Sequence, residues 1–134
     1  MNDELQRGNG AMAAMVQDHD LKKRTKHYAL RIIRLLSSLD KTTVSQTLGR
    51  QMLRSGTSIG AHYREAHRGR SSAEFISKME GGLQELDETA YWIELLVESN
   101  AVSAAKVAQL LDETNQLLAI FVASVRTTKQ RRSK

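Results

Sequence analysis

Apolar residues recur at intervals of three and four over four separate stretches, the spacing of one face of an α-helix. The first stripe is Tyr28, Ile32, Leu35, Leu36 and Leu39, with Asp18 or Asp20 upstream as a cap. The second is Leu48, Met52, Ile59, Tyr63 and Ala66, in a helix that breaks at Gly69. The third is Ile76, Met79, Leu83, Leu86, Ala90, Ile93 and Val97, a regular alternation of three and four that suits a left-handed bundle seam. The fourth is Val107, Leu111, Thr114, Leu118, Phe121 and Val125. The links are short: Asp40 to Thr43, then Ser71-x-x-Glu74 as a capping-box spacing, then Ser99 and Asn100 before Ser103 as a cap. The pattern predicts an all-α fold, an antiparallel up-down-up-down four-helix bundle over residues 18–128. Residues 1–17, interrupted by Gly8, Asn9 and Gly10, read as a disordered tail, and 129–134 as a basic C-terminal tail.

The second helix carries more than a buried stripe. Gln51, Ser55, Ser58 and His62 form a polar seam beside it, and Gly49, Gly56 and Gly60 fall on the other flank. Arg50, Arg54, Arg64 and Arg68 form a separate ridge, roughly 27 Å long at the helical rise. The third helix has Gly81 and Gly82 in its middle, each costing about 1 kcal/mol against Ala. Close approach to a neighbour is expected to compensate that cost, the glycine flank of the second helix being the candidate. Trp92 and Leu96 lie off the expected seam and read as oligomer contacts, together with Gly56, Gly60, Ser58 and His62.

Composition agrees with a small helical domain. The chain has 134 residues, 40% apolar and 4% aromatic, with no Pro and no Cys. Disulfides and Cys-based metal sites are excluded. No apolar run approaches the roughly 20 residues a membrane span needs. The polar start MNDELQRGNG shows no signal peptide, so a cytoplasmic protein is the expectation.

Charge changes the picture. The net charge of +5 hides a segregation: residues 20–71 carry twelve basic and three acidic groups, while 72–115 carry two basic and nine acidic. Such a division suits either a polyanionic partner or mutual neutralisation, within a subunit or between subunits. Lys22, Lys23, Lys26 and Arg24 crowd the first turns of the first helix, the unfavourable end for its dipole.

Most catalytic constellations fail on inspection. Ser58, His62 and Glu65 share a helix face, but no strained turn exposes the serine and no glycine-rich loop supplies an oxyanion hole. His62 and His67 bracket Glu65 without the H-E-x-x-H spacing, and no Glu-x-x-His pair of the di-iron type occurs. No phosphate-binding glycine loop is present. Neither a metal nor another cofactor is indicated, and the expectation is a non-enzymatic protein. The functional candidate is the basic surface: Arg50, Arg54, Arg64 and Arg68, with Arg31 and Arg34 of the first helix, placed to contact RNA or DNA phosphates. Few aromatics are available for base stacking, so recognition is expected to follow shape and charge. The competing expectation is an interaction adaptor whose charges serve assembly.

Arg54-Ser55-x-x-Ser58-Ile59-x-Ala61, Glu65-Ala66, Arg70-Ser71-x-x-Glu74-Phe75-Ile76 and Glu85-x-x-Glu88-x-x-Tyr91-Trp92 resemble the family of four-helix bundles named for the 23S rRNA intervening-sequence protein. The likeness covers about residues 20–127, and His62 stands where that family usually has Asn. The resemblance implies a ring-like homo-oligomer, commonly a homopentamer. It also implies kinship with the accessory variability determinant proteins of diversity-generating retroelements, which bind nucleic acid and a reverse transcriptase.

Overall fold

The computed structural model describes the backbone of residues 2–132 and the side chains of 20–132. Four helices follow one another: α1 (Asn2–Ser38), α2 (Thr43–His67), α3 (Ser72–Glu98) and α4 (Ala104–Arg132). They pack antiparallel around one core, with α1 diagonal to α3 and α2 diagonal to α4. This is the expected four-helix bundle.

Two ends differ from expectation. The backbone is helical from Asn2, so Asp18 and Asp20 lie inside α1 rather than capping it. Extending a formed helix adds one hydrogen bond per residue fixed, which carries α1 through Gly8 and Gly10. Side chains of the expected 1–17 tail lie outside the described residues. At the other end α4 continues to Arg132, into the segment read as a basic tail, whose last two residues are outside the described set.

The caps follow the sequence signals closely. Thr42 caps α2, its Oγ1 accepting from the Ser45 N–H at 3.2 Å. Asp40 braces that turn by accepting from both the N–H and the hydroxyl of Thr42, at 3.1 and 2.7 Å. Ser71 caps α3 by accepting from the Glu74 N–H at 3.1 Å, while the Glu74 carboxylate reaches back to the Arg70 N–H at 2.6 Å. The box therefore closes one residue upstream of the usual reciprocal pair. Beyond Glu98 the chain turns through Asn100 at φ 64°, a left-handed position that Asn tolerates better than most residues. The Ala101 N–H then bonds the Leu96 carbonyl at 2.9 Å.

The core holds Tyr28, Ile32, Met52, Ile59, Tyr63, Met79, Leu86, Ile93, Leu96, Leu117 and Phe121, each almost wholly removed from water. On α3 the buried line is Met79, Gly82, Leu86, Thr89, Ile93 and Leu96. Leu83 and Val97 are only half buried. Leu96 is thus a core residue, not the oligomer contact expected of it.

The glycines set helix separations inside the chain. A Cβ on Gly56 would meet Ile32 Cγ1 at 2.8 Å, and one on Gly60 would meet Thr25 Oγ1 at 3.2 Å. Both therefore face α1 of the same subunit, a correction to their reading as oligomer contacts. Gly81 and Gly82 do not meet this glycine flank: a Cβ on Gly81 would meet His62 at 2.9 Å, and one on Gly82 would meet Phe121 at 2.7 Å. Gly81 makes room for a histidine ring and Gly82 for a phenylalanine ring.

The α1–α4 seam is the narrowest contact of the bundle. Two ties hold it. The Tyr28 hydroxyl lies 2.6 Å from Thr114 Oγ1, and because Thr114 donates to the Leu110 carbonyl, Tyr28 is the donor. The Arg24 guanidinium grips the Glu113 carboxylate at 2.6 and 3.1 Å and the Gln116 side-chain oxygen at 3.0 Å. The seam opens on both sides of these ties, around Leu21, Ile120 and Arg131 at one end and around Arg31, Arg34 and Lys106 at the other.

Candidate nucleic-acid interface

From Leu21 to Leu39, α1 carries Lys22, Lys23, Arg24, Lys26, Arg31 and Arg34 and no carboxylate. Its neighbour α2 has no carboxylate before Glu65. Helical spacing sends these cations to both sides of α1. On the α2 side a groove of about 250 Å³ is floored by Thr25, Ala29, Thr57, Gly60 and Ala61 and walled by Lys26 and Arg64. Its floor is chemically quiet, since Thr25 donates to the Leu21 carbonyl and Thr57 to the Leu53 carbonyl. On the α4 side a groove of about 240 Å³ gathers Arg31, Arg34 and Lys106 over Leu35, Ser38, Val107 and Leu110. The Lys106 ammonium donates to Ser38 Oγ at 2.8 Å and keeps further donors for an anion.

The arginine ridge of α2 does not act as one unit. Arg54 leans toward α3, where it bonds Glu88 at 2.8 Å and lies 3.6 Å from Glu85. Glu88 above all, then Glu85, holds its guanidinium more firmly in the charged form than usual. Arg54 is thereby neutralised within its own subunit and leaves the candidate phosphate-binding set. Arg64 leans the other way, into the α1–α2 groove. Arg50 and Arg68 stand exposed between them, and the Arg68 Nε donates weakly to the Arg64 carbonyl at 3.4 Å. Among the described residues, Lys26, Arg31, Arg34, Arg50 and Arg64 make no ion pair.

The polar seam of α2 meets α3. Ser55 is buried, 2.8 Å from Thr89 Oγ1. Ser58 is half buried and donates to the Arg54 carbonyl at 2.6 Å. His62 packs on Gly81 with its Nδ1 buried and lacking a hydrogen-bond partner. Glu65 pairs with Lys78 at 3.1 Å, which draws its carboxyl below the usual range and away from any role in orienting His62. The Ser-His-Glu alignment thus has no shared hydrogen bond. Trp92 is half buried against the core with its Nε1 enclosed, and only Tyr91 beside it is largely exposed, at 53%. Of the residues that carry the family likeness, Arg54, Ser58, Glu65, Glu85, Glu88 and Trp92 therefore gather along the α2–α3 seam, with His62 among them, away from the basic grooves.

Lys26 and Lys106 are groove residues that the arginine pattern does not single out. The lysine cluster on α1 is visible in sequence, but Lys106 is one of only two cations on an otherwise acidic segment, and only the return of α4 beside α1 brings it to Arg31 and Arg34. Among the described residues no His, Cys, Asp or Glu group is arranged to hold a metal ion, and no helix is long and apolar enough to cross a membrane.

Fold and surface together define a small antiparallel four-helix bundle with a basic α1–α2 corner opposite an acidic α3. The profile of the 23S rRNA-intervening sequence protein family matches residues 17–123, and the chain belongs to that family. It is also similar to the crystal structure of a protein with unknown function from the S23 ribosomal protein family of Bacteroides thetaiotaomicron. That similarity has 31% identity, a TM-score of 0.76, and covers 81% of this chain and 97% of that one. No curated protein matches.

Proposed function

We propose that this bundle is a non-enzymatic protein that holds the phosphate backbone of nucleic acid against its α1–α2 corner. The observation that supports it is the acid-free run of α1, with unpaired cations in a groove on each side. A folded surface concentrates charge this way at a cost in self-repulsion, which a polyanion relieves. Lys26 and Arg64 form one contact set, Arg31, Arg34 and Lys106 another, and Arg50 and Arg68 extend the surface along α2. Fluorescence anisotropy against labelled duplexes at two salt concentrations tests this. Each phosphate neutralised on B-DNA contributes about −0.9 to the slope of log K against log salt, so several contacts predict a steep slope. No binding at low salt would sink the reading.

A second reading has one observation in its favour. Tyr91 of α3 and Val122 of α4 are exposed at 53% and 41%, and Tyr91 lies between Asp87 and Glu94 in sequence. An acidic face with exposed apolar groups fits a basic partner, either another copy in a ring-like homo-oligomer or a protein such as a reverse transcriptase. Sedimentation of the purified chain tests the first of these, and a monomer at micromolar concentration would eliminate it.

A further inference from the structure

We infer that the nucleic acid this corner takes is duplex DNA, with α1 lying in the major groove. The inference rests on the backbone-binding reading and adds the kind of duplex. Its basis is the placement of cations on both flanks of one helix. Lys26 and Arg64 lie on the α2 flank, Arg31, Arg34 and Lys106 on the α4 flank. The crest between them holds Leu30, exposed at 40%, and Ile33, exposed at 43%, stands beside Lys26 at the α2 edge of that crest. No interior packing accounts for two large aliphatic side chains on this crest.

A helix with its side chains is about 10–12 Å across. Cations on its two flanks are therefore spaced for two phosphate strands about that far apart. The B-DNA major groove is about 12 Å wide and admits a helix. The major groove of A-form RNA is too deep and narrow for this, and its minor groove is wide and shallow. Along the axis, Lys26 and Arg34 are eight residues apart, about 12 Å at the helical rise, so the contacts on the two flanks are staggered along the groove. A helix between two strands must carry no negative charge there, and α1 has none from Leu21 to Leu39.

The crest chemistry points the same way. Leu30 and Ile33 would face base edges, where the thymine methyl is the apolar group that B-DNA offers and RNA lacks. Single strands are a poor fit, since base stacking needs aromatic platforms. Among the described residues, Tyr28, Tyr63 and Phe121 are buried, and Phe75, Tyr91 and Trp92 lie on α3, diagonal to α1.

The test is an anisotropy titration of the full chain against three duplexes of about two helical turns. They are DNA, RNA of the same sequence, and the DNA with uracil in place of thymine. The variant Leu30→Ala with Ile33→Ala is titrated in parallel, and because both side chains are exposed its far-UV circular dichroism stays that of the parent. DNA should bind at least about tenfold tighter than RNA, and uracil substitution should weaken DNA binding by a factor of about three, a loss the double variant no longer shows. Equal or tighter binding of the RNA duplex would overturn the inference while leaving backbone binding intact. Indifference to uracil would also overturn it, because α1 would then lie outside the groove. Absence of binding to all three at low salt would remove the backbone-binding reading itself.

Discussion

The substitution Gly56→Ala tests whether the glycine flank of α2 is an intrachain device. The added Cβ would meet Ile32 at 2.8, 3.0 and 3.3 Å, where carbon atoms normally rest about 3.5–4.0 Å apart. Ile32 is fully buried and β-branched, so its χ1 is stiff and it cannot swing aside. α1 and α2 must separate. Overpacking of this kind costs about 1–3 kcal/mol, and the stiff neighbour argues for the upper half. Replacing a mid-helix glycine returns about 1 kcal/mol of helix propensity. The net expectation is a loss of about 1–2 kcal/mol, read from urea unfolding followed by circular dichroism. In an Ile32→Ala background the two closest contacts are removed and only the 3.3 Å approach to Cβ remains, so the same change should stabilise by up to about 1 kcal/mol. The coupling between the two positions is then about 2–3 kcal/mol, well above the few tenths seen for independent sites. An effect of Gly56→Ala that is the same in both backgrounds would refute the packing argument.

Three further outcomes follow from the geometry. Lys26→Glu with Arg64→Glu should lower the salt slope of DNA binding by about 2, while Arg54→Glu should leave that slope unchanged because Glu85 and Glu88 already hold Arg54. Burial pushes the Tyr28 hydroxyl up to about 12, against an ordinary value of 10.0. Its contribution to stability is therefore complete below pH 10 and lost as pH rises toward 12, a fall of roughly 3 kcal/mol that Tyr28→Phe should abolish in alkaline unfolding titrations. At neutral pH the same variant should be less stable by about 1 kcal/mol through the lost bond to Thr114. Asn100→Gly should stabilise the fold by about 0.5–1 kcal/mol, measured by the same urea titration, because glycine enters the left-handed region without the steric cost.

The four helices and their turns were legible because apolar spacing and capping residues are local signals. The α3 seam was legible only in part. Apolar periodicity alone favoured Leu83, Ala90 and Val97, whereas the buried line passes through Gly82, Thr89 and Leu96. Gly82 and Thr89 are not apolar, and their burial depends on the Phe121 ring and the Ser55 hydroxyl opposite them. Displacing the line by one position turned Leu96 from core into apparent surface. The arginine ridge was legible as a ridge, but its division was not. Arg54 and Arg64 differ by which neighbouring helix they lean toward, and only the packed bundle shows that one meets carboxylates and the other a groove. Lys106 was hidden for a similar reason, since its neighbours are some seventy residues away in sequence and close only across the α1–α4 seam.

The diagonal placement of α1 and α3 gives the molecule a permanent electric moment. Positive charge collects at one corner and negative charge at the opposite one, so the protein turns in the field of any strongly charged object before touching it. Near a polyanion the α1–α2 corner comes round to the front and α3 is held to the rear. Productive encounters are enriched by orientation as well as by attraction, and the gain fades as salt shortens the field to about 8–10 Å. Even Arg54, silenced at short range by its two carboxylates, sits on the boundary that separates the two poles.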